Sequence, residues 1–233
     1  MNRQRATAKA TLLAVLTMLL LAQHCRAQDS DGPTLREQLK TLTKQVEQDP
    51  ANTELRLNKA ALCIEMGEWQ RALDEYDYVL DKNPNNLTAL FYRAYANTRL
   101  NRLAFARNDY EAMLRIIPYH FEAQLGLALV NQKDGRPTEA LNQMNLLVEQ
   151  YPDNAIAYAA RANMETEQGL LEPAEYDLTQ ALSIDEDNTD YLLNRADVRI
   201  KLEKYKDARA DLDTLISLGI NRASLTEFYD RLR

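Results

Sequence analysis

The sequence predicts an all-helical solenoid of five stacked helix hairpins with a capping helix at each end. Three observations carry that expectation: prolines at a fixed long spacing, alanines at two invariant places in each period, and helix-boundary residues that recur in the same step. Periodicity of this length is the signature of an array in which each unit buries its apolar face against its neighbours.

Pro50, Pro84, Pro118 and Pro152 lie 34 residues apart, and the next step lands on Glu186, where the register continues without a proline. The frame gives repeats at 53–86, 87–120, 121–154, 155–188 and 189–222, with no insertion or deletion. The eighth place holds Ala60, Ala94, Ala128, Ala162 and Ala196; the twentieth holds Ala72, Ala106, Ala140, Ala174 and Ala208. Two helices approach closely only where both present small side chains, so these alanines mark the crossing of each pair. Larger fillers follow at the twenty-fourth place (Tyr76, Tyr110, Met144, Leu178, Leu212) and four residues later, on one helical stripe.

Asn52, Asn86, Asn154 and Asn188 precede the first helix of four repeats, with His120 in the remaining one. A side-chain acceptor there satisfies exposed amides of the first turn. Gly67, Asn101, Gly135 and Gly169 tolerate the left-handed conformation that closes the first helix, whereas Glu203 breaks that series. Each proline follows a second helix, where a ring that cannot continue the helix does no harm.

A two-helix unit with these alanines, an apolar or aromatic twenty-fourth residue and a closing proline resembles the tetratricopeptide repeat family. The resemblance covers five repeats and implies a right-handed α-solenoid; it departs at the fourth place, where Arg56, Leu90, Gln124, Tyr158 and Leu192 stand instead of a tryptophan-like residue. A further regularity lies within the chain itself. Lys59 accompanies Glu75, Arg93 accompanies Asp109, Arg161 accompanies Asp177 and Arg195 accompanies Asp211, while the third repeat has Leu127 and Gln143. Charges present together or absent together predict an ion pair between the two helices of a unit, because a lone buried partner is costly.

At the N-terminus, Arg3, Arg5 and Lys9 precede an uncharged apolar run from Ala10 to Ala22, which predicts a signal peptide over 1–27, cleaved after Ala27. The run of about a dozen residues falls short of the roughly 20 needed to span a bilayer. The mature chain is therefore expected to be exported, periplasmic or secreted, without a membrane span. Removing 1–27 takes four basic and no acidic residues, leaving 24 basic against 35 acidic side chains and a formal charge of −11. Such a balance repels phosphate backbones and disfavours nucleic acid. Residues 28–52 read as a short lead and an N-terminal capping helix carrying Leu35, Leu39, Leu42 and Val46; residues 223–233 read as a C-terminal capping helix with a Ser224/Glu227 capping box.

One cysteine, Cys63, and one histidine, His120, remain after residue 27, which leaves no disulfide and no Cys/His zinc site. Cys63 reads as a small buried hydrophobe and His120 as a cap. No carboxylate pair or nucleophile–base constellation stands apart from helix-surface charges, so no catalytic residue and no cofactor is assigned. The expected function is a scaffold that binds a protein or peptide, with a structural or assembly subunit of a cell-envelope complex as the alternative.

The resemblance places the inner wall of the trough on the first helices, at places two, five, six, nine, twelve and thirteen. The residues so nominated are Phe91, Tyr92, Tyr95, Arg99, Leu125, Leu129, Asn163, Asn194 and Asp197. Aromatics there offer large contact area at low entropic cost, although the same spacing also fits packing between adjacent repeats. Asn163 and Asn194 match two places of the family's clamp for a C-terminal carboxylate, but Ala159 replaces its lysine and no third repeat follows.

Overall fold

The structure is a computed structural model that describes residues 34–232. The signal peptide, its cleavage site and the lead over 28–33 lie outside the described residues. Among the described residues every regular element is helical. Helix α1 (Leu35–Gln48) precedes five pairs: α2 (Thr53–Glu65) with α3 (Trp69–Lys82), α4 (Leu87–Arg99) with α5 (Leu103–Ile116), α6 (Phe121–Lys133) with α7 (Pro137–Gln150), α8 (Ala155–Glu167) with α9 (Leu171–Ile184), and α10 (Thr189–Lys201) with α11 (Tyr205–Ser217). A 3-10 turn, Arg222–Leu225, leads into α12 (Thr226–Asp230). The chain divides into two compact units, Met1–Pro118 and Tyr119–Arg233. Unit 1 contains α1 to α5 and unit 2 contains α6 to α12.

All ten repeat alanines have 0% exposure, as expected if each pair crosses where no side chain intervenes. Tyr76, Tyr110, Met144, Leu178 and Leu212 fill the space beside those crossings and are likewise buried. Truncating one of these large side chains leaves a cavity as well as removing apolar contact. Cys63 is buried and unpaired, and burial pushes its thiol up from the ordinary value, which keeps it protonated.

The asparagine caps form: Asn52 Oδ1 accepts from the Leu55 amide at 3.1 Å and Asn86 Oδ1 from Ala89 at 2.9 Å, and Asn154 and Asn188 do the same one step on. His120 Nδ1 accepts from the Ala123 amide at 3.3 Å and also lies 3.1 Å from a Glu122 oxygen. One nitrogen cannot do both, since the cap needs the Nδ1 lone pair and the contact with Glu122 needs a proton on Nδ1. At the other ends of the first helices, Gly67, Asn101, Gly135 and Gly169 take positive φ. Glu203 takes it too, at 59°, so the break in the residue series is not a break in the backbone. The amide after each of these five residues closes the same turn, from Glu68 N to Cys63 O at 2.8 Å through to Lys204 N to Arg199 O at 2.8 Å. Since a Cβ is disfavoured in the left-handed region, Glu203→Gly is expected to stabilise unit 2 by about 0.5–1 kcal/mol, read as a higher urea midpoint at unchanged slope.

The C-terminal segment differs from expectation in one respect. Ser224 and Glu227 form no capping box; Asn221 caps the 3-10 turn by accepting from the Ala223 amide at 2.9 Å, and Ser224 donates to the Asn221 carbonyl at 2.6 Å. Asn221 starts the turn three residues earlier, so Ser224 lies inside it and not at its cap. Leu225 and Leu232 still bury against Leu192, Ala196 and Ile200, with Phe228 and Tyr229 beside them.

The four expected ion pairs between first and second helices form. Lys59 meets Glu75 at 2.6 Å, Arg93 meets Asp109 at 2.6 Å, Arg161 meets Asp177 at 2.6 Å and Arg195 meets Asp211 at 2.7 Å. In the third repeat, where both charges are missing, Gln143 accepts instead from Asn131 at 3.0 Å. Three of the arginines also reach back to the preceding second helix: Arg93 to Asp77 at 2.7 Å, Arg161 to Asn145 at 3.1 Å and Arg195 to the Thr179 hydroxyl at 3.2 Å. One guanidinium thus fixes both the hairpin and its neighbour, a task for which its planar fork of donors is suited.

Around Arg161 the charges do not balance. Asp177 is 1% exposed and Glu165 7%, while Glu165 Oε1 stands 4.0 Å from Arg161 and Oε2 has no hydrogen-bond partner among the described residues. Burial first, then the charge of Asp177, pushes the Glu165 carboxyl up to about 7 against the pull of Arg161. Two buried carboxylates share one guanidinium, and Glu165, the more distant from it, readily holds a proton.

Candidate peptide-binding site

In unit 1 the nominated aromatics separate into core and surface. Phe91 is 9% exposed and Tyr92 3%; Phe91 meets Tyr92 and Tyr110 edge-on at 5.2 and 6.0 Å, and Tyr92 stacks on Tyr76 at 6.3 Å. Tyr76 and Tyr110, at the twenty-fourth places of the first two repeats, draw these two nominated residues into aromatic packing, the alternative that their spacing also fitted. Burial pushes the Tyr92 phenol up to about 12. Tyr95 and Arg99 stay nearer the surface. Tyr95 meets Trp69 edge-on at 5.8 Å, and the exposed Arg99 lays its guanidinium 4.9 Å over the same indole.

In unit 2 the first helices present smaller residues. Leu125 is half-buried against the cluster around Met144, and Leu129 is 45% exposed. Between α8 and α10 lies a pocket of about 380 Å³, lined by Ile156, Ala159, Ala160, Asn163, Asp190, Tyr191, Leu193 and Asn194. Where the second repeat carries Phe91 and Tyr92, the fourth carries Ala159 and Ala160, and both alanines line the pocket. Asn163 is exposed and Asn194 half-buried, and neither side chain has a hydrogen-bond partner among the described residues. Each retains two donors and an acceptor for another chain.

Asp197 is not available in the same way. Lys201 and Arg231 bind it at 2.7 and 2.8 Å; burial raises its carboxyl, and the two cations outweigh that and hold it below the usual range. The carboxylate of this nominated residue is thus held by two cations, and Arg231 arrives from the C-terminal segment, 34 residues away in sequence. Ile156, Ala160, Asp190 and Leu193 were missed by sequence reasoning, although they occupy places two, five and six of the fourth and fifth repeats. At Ala160 and Leu193 the signal was size, a small or aliphatic residue where the second repeat has a ring; Ile156 and Asp190, at place two, carry no such signal.

The tetratricopeptide repeat profile matches residues 57–121 and 125–191. The chain belongs to the tetratricopeptide repeat family. Among solved structures, a tetratricopeptide repeat protein of Parabacteroides merdae superposes with a TM-score of 0.68 at 24% identity, covering 85% of this chain and 77% of that one. YrrB, a tetratricopeptide repeat protein described as having an unusual peptide-binding site, superposes with a TM-score of 0.55 at 22% identity, covering 78% of this chain and 93% of YrrB. Both show the tetratricopeptide fold. Among curated proteins, the DnaJ protein P58IPK homolog of Arabidopsis thaliana is 26% identical over 179 residues, 70% of this chain and 37% of that protein. The co-chaperone DNJ1 of Fusarium oxysporum f. sp. lycopersici, which combines tetratricopeptide repeats with a J domain, is 35% identical over 79 residues, 34% of this chain and 15% of its own. The chain thus spans little more than a third of the Arabidopsis protein's length. Tetratricopeptide repeat proteins in general mediate protein–protein interaction and are typically non-catalytic scaffolds, and among the described residues no helix is long and apolar enough to cross a membrane.

Proposed function

We propose that this tetratricopeptide repeat protein is an exported scaffold that holds an extended segment of a partner protein between α8 and α10. The observation that carries the reading is the pocket with two asparagine side chains, Asn163 and Asn194, that have no hydrogen-bond partner among the described residues. Asparagine can both donate to and accept from a peptide unit, so two of them at a groove fix an extended backbone without selecting its side chains. Ile156, Ala159, Ala160 and Leu193 then supply an apolar floor for one aliphatic or aromatic side chain of the segment. The peptide-binding site in the description of YrrB supports the mode, and the co-chaperones among the relatives support extended or unfolded chains as the class of partner.

The test is to pan a random peptide library against the chain beginning at Gln28 and to titrate a recovered peptide by calorimetry. Asn163→Ala with Asn194→Ala is expected to weaken binding about 10- to 100-fold, as loss of two hydrogen-bonding anchors does, while the melting temperature stays put. Unchanged affinity places the contact elsewhere. A second reading, as a structural or assembly subunit of a cell-envelope complex, is favoured by Phe105, Leu146 and Tyr176, which stand 64, 55 and 62% exposed on second helices. Constitutive co-purification that is lost on replacing these three residues, and kept in the asparagine variant, selects that reading.

A further inference from the structure

We propose that a groove in unit 1, between α1 and the turn joining α2 to α3, is a second docking site that takes an extended acidic segment of a partner protein. The groove has a volume of about 490 Å³. Arg36, Lys40 and Lys44 form one edge of it, and Arg71 stands among the residues of the other. The three cations of α1 recur every fourth residue, so their charges follow one another at about 6 Å along a single helix face.

None of the three has an ion-pair or hydrogen-bond partner among the described residues, whereas Arg71 is bound by Glu68. The edge is a local inversion of charge in a chain with a formal charge of −7. One period later, on α3, the corresponding places hold Gln70, Asp74 and Tyr78. Helix α1 therefore offers what the next second helix does not, and the attraction is for negative charge.

The floor narrows the choice of occupant. Leu39, 5% exposed, and Met66 line the groove and give an apolar contact that a peptide side chain can use. Glu47, also lining it, and the acidic remainder of the chain oppose a continuous polyanion such as nucleic acid or an anionic bilayer. An extended peptide advances about 3.3 Å per residue, so carboxylates on alternate residues fall about 6.6 Å apart and meet successive cations of α1. Acids on adjacent residues point to opposite sides and cannot.

The experiment uses two labelled peptides of one composition and one charge, Asp-Ser-Asp-Leu-Asp and Asp-Asp-Asp-Ser-Leu, titrated with the whole chain by fluorescence anisotropy at low salt. The alternating peptide is expected to bind at least about threefold tighter than its isomer, and Lys40→Glu with Lys44→Glu is expected to weaken it about tenfold or more. These lysines are exposed, so far-ultraviolet circular dichroism and melting should match the parent. Lys206→Glu with Arg209→Glu, on α11 of unit 2, makes the same change of charge at residues that do not line the groove and should leave binding unchanged. Equal affinity for the two isomers would overturn the proposal. So would a double variant that binds like the parent, or a preference for oligothymidylate or phosphatidylserine vesicles over the alternating peptide.

Discussion

Arg161→Leu is expected to remove about 3–5 kcal/mol from the stability of unit 2, the largest loss of any single change considered, because it strands buried charge. Asp177 accepts two hydrogen bonds from that guanidinium, at 2.6 and 2.7 Å, and is 1% exposed. Without Arg161, both Asp177 and Glu165 lose their cation, and the tie to Asn145 on α7 goes with it. The third repeat shows how the position tolerates the loss when both partners change: Leu127 with Gln143 stands where Arg161 with Asp177 stands one step later. A double variant, Arg161→Leu with Asp177→Gln, should therefore recover much of the deficit. Urea unfolding of the two single variants and the double gives the coupling as a cycle. Additive losses would mean that the pair contributes nothing as a pair.

The second large effect is a dependence on pH that one substitution should abolish. Glu165 has its carboxyl pushed up to about 7 in the folded chain from an ordinary value of 4.5. A raised carboxyl favours the folded state while protonated, so its contribution is fully present below about pH 4.5 and is lost as pH rises through about 7. The size of the loss is on the order of 2–3 kcal/mol between about pH 5 and pH 8. Glu165→Gln keeps the shape and removes the titration. Its gain over the parent should be small at about pH 5 and about 2–3 kcal/mol at about pH 8, read from urea midpoints at each pH. A gain independent of pH would indicate packing in place of charge.

Helix boundaries were legible in the sequence because they depend on local chemistry. An asparagine with an extended backbone, a glycine in the left-handed region and a proline past the last turn each act within a few residues. The crossing alanines and the ion pairs were legible for another reason: the repeats provide five parallel solutions to one packing problem, and Leu127 with Gln143 is the exception that links the two charges. What escaped was set by neighbours far along the chain. Phe91 and Tyr92 occupy groove places in the repeat pattern, yet the rings of Tyr76 and Tyr110 give them a core to join. Asp197 occupies another, and Arg231 reaches back to it. Glu203 adopts the positive φ that its residue type argues against, because the turn around it is shared by all five repeats. The pocket itself depends on how the side chains of two successive first helices, α8 and α10, stand beside each other, which no single repeat displays.

The account rests on Asn163 and Asn194 being reserved for another chain, and nuclear magnetic resonance of their side-chain amides tests this directly. On titration with a peptide recovered from the library, the two NH₂ groups should shift and become protected from exchange, and the Leu193 methyls should show contacts to the peptide. Perturbations confined to second helices, around Phe105, Leu146 and Tyr176, with the two asparagine amides unmoved, would contradict it.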